Sequence, residues 1–361
     1  MPGIADAQPP VIGGVDTHAA RHVAAVVDQV GRVLGTEQFP AAAPGYAAAL
    51  GWMRSHGELV KVGVEGTGSY GAGLAGYLTG EGVEVVEVIR PNRQARRRRG
   101  KSDAADAVAA ALATLNGEAS GRPKSRDGAV ESIRALRVAR RGAIKARTQA
   151  ASQLRDLIVT APRQIREQLA PLPVEQRAAL AAGFRPGELT DPAEGAKAAM
   201  AAVARRHQAL TAEIARLDAA LEELVEQAAP ERFLAKLGVA TQVASALLAT
   251  AGDNPARLRT EGSFAALCGV SPVDASSGKQ RRHRLNRGGD RQANSALWRI
   301  VLVRMSHDPR TKAYVARRTA EGKTTKEIIR CLKRYVAREI YKALAHQART
   351  PVEIAARQAA A

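Results

Sequence analysis

Aromatic side chains make up only 3% of this 361-residue sequence, which argues against stacked bases as the main means of holding a nucleic acid. There are two cysteines, Cys268 and Cys331, too few and too far apart for a disulfide framework or a zinc cluster. No apolar run approaches the ~20 residues that cross a bilayer, and the opening MPGIADAQPP lacks the basic start and apolar core of a secretory signal. The expectation is a cytoplasmic, nucleoid-associated protein with no membrane partner. Acids are also in deficit: Asp and Glu total 35 against 54 Lys and Arg, leaving a net charge of +19. Such an excess bears on partners more than on fold, and it points to nucleic acid held through its phosphates.

The most informative stretch is IRPNRQARRRRGKSDAADAVAA, residues 89–110. It leaves an apolar run, crosses Arg93, Arg96, Arg97, Arg98, Arg99 and Lys101, and opens an alanine-rich helix with Asp103 and Asp106 one turn apart on one face. Paired carboxylates repel unless a cation lies between them, and hard oxygen donors suit Mg²⁺ or Mn²⁺. Two acids at a helix start also serve as plain dipole partners, so the pair needs support from elsewhere in the chain.

That support lies upstream. Val11–Val15, His22–Asp28 and Arg32–Phe39 read as an antiparallel meander, with a turn at residues 28–31. A short helix (Pro44–His56), a buried-type strand (Leu59–Val64), a glycine-rich helical segment (Ser69–Thr79), a fifth strand (Val83–Ile89) and the helix from Ser102 follow. Three strands, helix, strand, helix, strand, helix is the order of a ribonuclease-H-like (RuvC-like) mixed sheet. Asp16 then ends the first strand, Glu65 ends the fourth, and Asp103 and Asp106 start the last helix. Four carboxylates so placed suit two divalent ions. His18, near Asp16, reads as an exposed loop histidine. GTGSYG at residues 66–71 fits a dinucleotide-binding pattern, with Glu84 and Glu87 downstream. It follows the fourth strand rather than the first, so a tight turn and close helix packing explain the glycines better.

In the middle, Asp127–Thr160 forms a long helix carrying Arg134, Arg137, Arg140, Arg141, Lys145 and Arg147, read as a nucleic-acid contact. Residues 162–186, broken by Pro171 and Pro173, read as a connector. Asp191-Pro192 caps a second long helix with a heptad seam through Met200, Val203, His207, Leu210, Ile214, Leu217, Leu221 and Leu224. The seam fits a partner helix in the same chain or in a second copy, and His207 reads as a register-setting residue.

The last third is helical. Glu231–Leu237, a glycine turn at Gly238 and Thr241–Thr250 read as a helix-hairpin-helix, a unit that offers backbone N–H groups to DNA phosphates. A loop follows with Ser271, Ser276 and Ser277 among Lys279, Arg281, Arg282, Arg284, Arg287 and Arg291. Such loops are usually turns, yet a hydroxyl among cations is equipped to attack a phosphodiester. A basic helical tail with Arg330, Lys333, Arg334 and Arg338 ends the chain. The whole is α/β plus all-α: a RuvC-like domain over 1–125, a long-helix coiled-coil and oligomerisation region over 126–228, and a helical domain over 229–361.

VDTH at Asp16, VEGTGSY at Glu65, KSDAADA at Asp103 and Asp106, LGVATQVASALLA, GVSPVDASSGK around Ser277 and EGKTTKEIIRCLKR together cover nearly the whole chain. In these motifs the sequence resembles bacterial insertion-sequence transposases that join a DEDD RuvC-like domain to a C-terminal serine-containing domain, a group with RNA-guided bridge recombinases among its members. The resemblance implies that Asp16, Glu65, Asp103 and Asp106 bind Mg²⁺ and that Ser277 forms a covalent link to DNA. It further implies a homo-oligomer (dimer or tetramer), donor and target DNA as substrates, and a non-coding guide RNA. Ser276 stays open as a rival nucleophile. The competing enzyme reading is a junction-resolving endonuclease with water as nucleophile, and the non-enzymatic one is a nucleic-acid-binding scaffold.

Overall fold

The computed structural model describes residues 8–88, 102–278, 283–284, 286 and 288–345. Contacts divide the chain into two compact units, Met1–Ser125 and Arg126–Ala361. Arg93, Arg96, Arg97, Arg98, Arg99, Lys101, Lys279, Arg281, Arg282 and Arg287 lie outside the described residues.

The first unit is built on a five-stranded sheet. The strands β1 (Pro10–Thr17), β2 (Arg21–Val27), β3 (Val33–Pro40), β4 (Glu58–Glu65) and β5 (Glu84–Val88) lie in the order β3-β2-β1-β4-β5. The β3-β2 and β2-β1 pairs are antiparallel, while β1-β4 and β4-β5 are parallel. This is the ribonuclease-H-like arrangement. The helices are α1 (Ala43–Arg54), α2 (Ala72–Gly80) and α3 (Asp103–Leu115). Residues 69–71, expected to be helical, form a turn before α2, and Gly66 takes a positive φ of 68° there.

Alternation along the strands separates two apolar faces. Val11, Val15, Val62 and Val64 pack with Leu50, Met53, Leu74 and Leu78 of α1 and α2. Ile12 and Val27 pack with Ala111, and Val23 and Ala25 with Ala107, all against α3. Strand β2 is therefore buried on both sides, which is why it reads as an unbroken run of alanine and valine.

In the second unit, α4 (Ala129–Thr160) and α7 (Pro192–Ala228) form a long antiparallel pair, as contacts of Arg140 with Asp218 and of Arg206 with Gln153 require. Asp191 caps α7, accepting from the Ala193 N–H at 2.8 Å. The expected seam is turned toward α4 in the same chain: Met200, His207, Ile214 and Leu221 are buried, while Val203, Leu210, Leu217 and Leu224 are half-buried. Residues 162–186 are not a plain connector. They hold α5 (Arg163–Leu169) and α6 (Val174–Ala182), which bury Ile165, Leu169, Ala178 and Ala181 with Leu154 and Met200 of the long helices. Pro162 and Pro173 precede these helices as N-caps rather than interrupting them, so no intrahelical hydrogen bond is lost to the missing N–H.

The remainder is helical: α8 (Glu231–Leu234), α9 (Thr241–Ala251), α10 (Glu261–Leu267), α11 (Arg291–His307), α12 (Pro309–Ala320) and α13 (Thr325–Ala345). The first arm of the expected helix-hairpin-helix is thus a single turn. A two-strand ribbon, β6 (Val273–Asp274) with β7 (His283–Arg284), flanks the serine loop. One core joins Ile133 and Leu221 of the long pair to Phe233, Leu247, Leu297 and Ile340, so these helices fold on each other.

Candidate metal centre and nucleic-acid contacts

The placement of the acids follows from two glycines. In the parallel β1-β4 pair, Gly14 is the register partner of Gly63, and both face α3. A Cβ on Gly14 would meet the Ala111 backbone nitrogen at 2.2 Å, and one on Gly63 would meet Thr114 Oγ1 at 2.0 Å. Without side chains at these points, α3 lies almost on the sheet. Asp16 and Glu65 stand two residues further along their strands and so share the face of the glycines. Because Ala107 and Ala111 pack toward the sheet, the start of α3, with Asp103 and Asp106, meets that same strand end. Thr17 ties the two strand ends together by donating its hydroxyl to the Glu65 carbonyl at 2.8 Å.

Asp16 and Asp106 are buried, whereas Asp103 is exposed at the mouth. Burial pushes the Asp16 carboxyl above the ordinary carboxylate value; the contact with His18 opposes this, and Asp106 and Asp103 push it further up. A buried acid that feels two more acids is a site short of positive charge. Ser102 caps α3, accepting from the Ala105 N–H at 3.2 Å, which fixes where the two helical acids begin.

His18 is the exposed loop residue read from the sequence, and it also approaches this centre. Its Nε2 lies 3.1 Å from Asp16 Oδ2 and 3.4 Å from Asp103 Oδ1. Donor atoms of Asp16, His18 and Asp103 all fall within 4.8 Å of one another, close enough to share one ion. Carboxylates with one imidazole, around a buried acid that needs a counter-charge, fit a divalent cation. The one sequence signal for His18 is its position two residues after Asp16; what brings it back is the turn closed by the His18 N–H donating to the Arg21 carbonyl. Glu87 accepts the Thr67 hydroxyl at 2.6 Å, so this acid of the apparent dinucleotide pattern is engaged within the sheet edge.

The cations of the second unit divide into two groups. Arg134 pairs with Glu131, Arg140 binds Asp218 through two nitrogens, and Arg137 donates to the Gln242 carbonyl and to Ser245 Oγ. Burial, with Arg140 and Arg299 nearby, holds the Arg137 guanidinium below its ordinary value. In the tail, Arg334 and Arg338 both pair with Glu261, and buried Lys333 donates to Asn294 Oδ1. The Arg134 pair lies within α4, while the others tie one helix to another, so neither basic stretch is a contact surface throughout. Arg141 and Lys145 are exposed and have no carboxylate partner among the described residues.

Lys236 and Arg299 border a groove of ≈ 810 Å³ that also takes in Gly238, Ala240, Gln242 and Val303. Gly238 adopts φ 89°, letting the chain turn from α8 into α9. In the serine loop, Ser276 donates to Asp274 Oδ1 at 2.5 Å through its hydroxyl and at 2.9 Å through its N–H. These bonds hold the Asp274 carboxyl below its ordinary range. Ser277 is exposed, and its hydroxyl has no hydrogen-bond partner among the described residues; Arg284 is exposed too. Among the described residues no helix is long and apolar enough to cross a membrane.

Comparison with known proteins gives two family matches. The family described as Transposase, of the DEDD type of IS110, matches residues 13–161, and the Transposase IS116/IS110/IS902 family matches residues 231–316. The "Insertion element IS110 uncharacterized 43.6 kDa protein" of Streptomyces coelicolor is 31% identical over 102 residues, covering 28% of this chain. The match spans a quarter of that relative's length (25%).

Proposed function

The chain belongs to the IS110-family transposases by its two matched domains, and from that premise we propose that it cuts and rejoins DNA at the ends of an insertion sequence. The observation that carries the reading is the convergence of Asp16, Asp103 and Asp106, with Glu65 on the same sheet face, at the edge where α3 begins. Asp16, Glu65, Asp103 and Asp106 would hold Mg²⁺ or Mn²⁺. Bound there, a divalent ion supplies positive charge to the oxygens around a reacting phosphorus. The chain's own part is to fix those carboxylates before DNA arrives, with one acid buried among others.

Within this reading Ser277 attacks the phosphodiester and becomes esterified to DNA while a sugar oxygen leaves. Among the described residues the exposed Ser277 hydroxyl has no hydrogen-bond partner while that of Ser276 donates to Asp274, which supports Ser277 over Ser276. Arg93, Arg96, Arg97, Arg98, Arg99 and Lys101, and in the serine loop Lys279, Arg281, Arg282, Arg284 and Arg287, are assigned to phosphate contacts. The charge of +19 supports two nucleic-acid partners, the DNA substrates and a structured guide RNA. A homo-oligomer is part of the proposal; with the α7 seam turned to α4, assembly falls to other surfaces. Residues 1–125 are assigned to catalysis, 126–228 to the helical arm and 229–361 to the serine domain.

The test is Asp103→Asn assayed on DNA carrying the element's own ends, with its flanking non-coding RNA and Mg²⁺. Cleavage should fall by at least about a hundredfold while binding persists, because cations rather than acids hold the phosphates. Undiminished cleavage would remove the metal centre from the reaction.

A further inference from the structure

The four acids account for a site that takes hard divalent ions in general, and His18 makes the site more selective than that. We propose that His18 is a direct nitrogen ligand of this centre and that it biases the site toward Mn²⁺ and related transition ions over Mg²⁺. The inference rests on the metal-centre reading above and adds a donor that the four-carboxylate pattern does not contain.

Three observations carry it. First, His18 Nε2 is 3.1 Å from Asp16 Oδ2 and 3.4 Å from Asp103 Oδ1. Two ligands at right angles on an octahedral ion with bonds of about 2.1 Å are separated by about 3.0 Å, so both spacings suit neighbours in one coordination shell. Second, the three donors come from different places, namely the end of β1, the turn after it and the first residue of α3, and they converge without help from a common element. Third, the side chains of His18 and Asp103 are half exposed (50% and 51%) while that of Asp16 is at 10%, so the cluster is open on one side to solvent and substrate. A catalytic ion needs that open side.

The consequence is chemical. Oxygen donors alone serve Mg²⁺, Ca²⁺ and Mn²⁺ alike, whereas imidazole favours transition ions and adds little for Mg²⁺, which dehydrates reluctantly. The rival arrangement is one in which His18 only hydrogen-bonds the two carboxylates and never meets an ion. The two differ in what the ion's first shell contains, so they separate without any assay of DNA cleavage.

The experiment loads the full chain with Mn²⁺ alone and records its electron spin-echo modulation, with Mn²⁺ and Mg²⁺ affinities measured by calorimetry. The wild type should show coupling to a directly bound nitrogen, and His18→Ala should lose it. Mn²⁺ affinity should drop about tenfold or more in the variant, with a smaller change for Mg²⁺, the scale on which even outer-shell partners of a ligand act. His18→Asn, which returns an oxygen donor at the same turn, should also lose the nitrogen signal and retain Mg²⁺ binding, so a folding defect in one variant does not decide the matter. Mn²⁺ bound with no nitrogen coupling, or a coupling that survives in both variants, overturns the role of His18 and leaves the acid site standing. Mn²⁺ that fails to bind, or binds Asp103→Asn as well as wild type, overturns the metal centre itself, and His18 with it.

Discussion

Gly14 and Gly63 lie side by side across the β1-β4 pair, and the backbone of α3 rests on the space that their missing side chains leave. The helix so placed brings Asp103 and Asp106 to the strand end that carries Asp16 and Glu65. A methyl group at either glycine has no room, since the contacts at 2.2 Å and 2.0 Å are far inside van der Waals distance. Gly63→Ala should therefore lower stability by about 1–3 kcal/mol, the usual cost of overpacking. Urea denaturation should show an earlier midpoint at unchanged slope, together with weaker divalent-ion binding as α3 moves off the sheet. A variant with wild-type midpoint and wild-type ion affinity would mean that the helix does not need this seat.

Asp16 gives a pH dependence whose sign is opposite to the usual carboxylate case. Its folded value lies above 3.8, chiefly through burial. Above 3.8 the folded state holds a proton that the unfolded state has released, so stability falls as pH rises through the folded value and stays low beyond it. In the ion-free protein Asp16→Asn should be more stable than wild type at neutral pH, and the gap should close at pH values below 3.8. Denaturant midpoints across pH check this, and parallel curves for the two proteins would exclude it. Added divalent ion should stabilise the wild type and not the variant, because ligands bound to the folded state alone raise its stability.

Ser276 and Ser277 are separated by one peptide bond and by their hydrogen bonding. Denaturing gels after incubation with end-bearing DNA, RNA and Mg²⁺ should show a covalent adduct that Ser277→Ala abolishes. Ser276→Ala should retain it, with the loop loosened because Asp274 loses its hydroxyl donor. An adduct absent in Ser276→Ala alone would transfer the role to Ser276. Clean nicking with no adduct in any protein would favour a junction-type endonuclease with water as nucleophile.

Salt dependence should sort the cations by whether the fold already uses them. Arg299 borders the α8–α9 groove and has no carboxylate partner among the described residues, whereas Lys236 on the same groove is already paired with Glu339. Replacing Arg299 should lower the slope of log affinity against log salt by about one for each phosphate no longer neutralised. Replacing Arg334, committed to Glu261, should lower thermal stability and leave that slope unchanged. Filter binding from low to high salt measures both, and equal slopes for all variants would mean that the groove does not meet phosphate.

Much of this protein is written locally. Short apolar runs bounded by turn residues mark most of the strands, Asp191-Pro192 marks the start of α7, and the positions of Asp16, Glu65, Asp103 and Asp106 relative to their elements follow from element order. These are near-neighbour effects, set by sterics and hydrogen bonding within a few residues, so sequence suffices. The helices inside residues 162–186 escape such a reading because proline reads as a breaker, although before a first turn it favours a helix. What the tertiary structure alone decides are the long-range pairings: Gly14 against Gly63, His18 folded back between Asp16 and Asp103, and Arg140 bound to Asp218 while Arg141 stays in solvent. A sequence states which charges a chain carries, but only packing across many residues determines which of them are neutralised inside it and which are left to meet a partner.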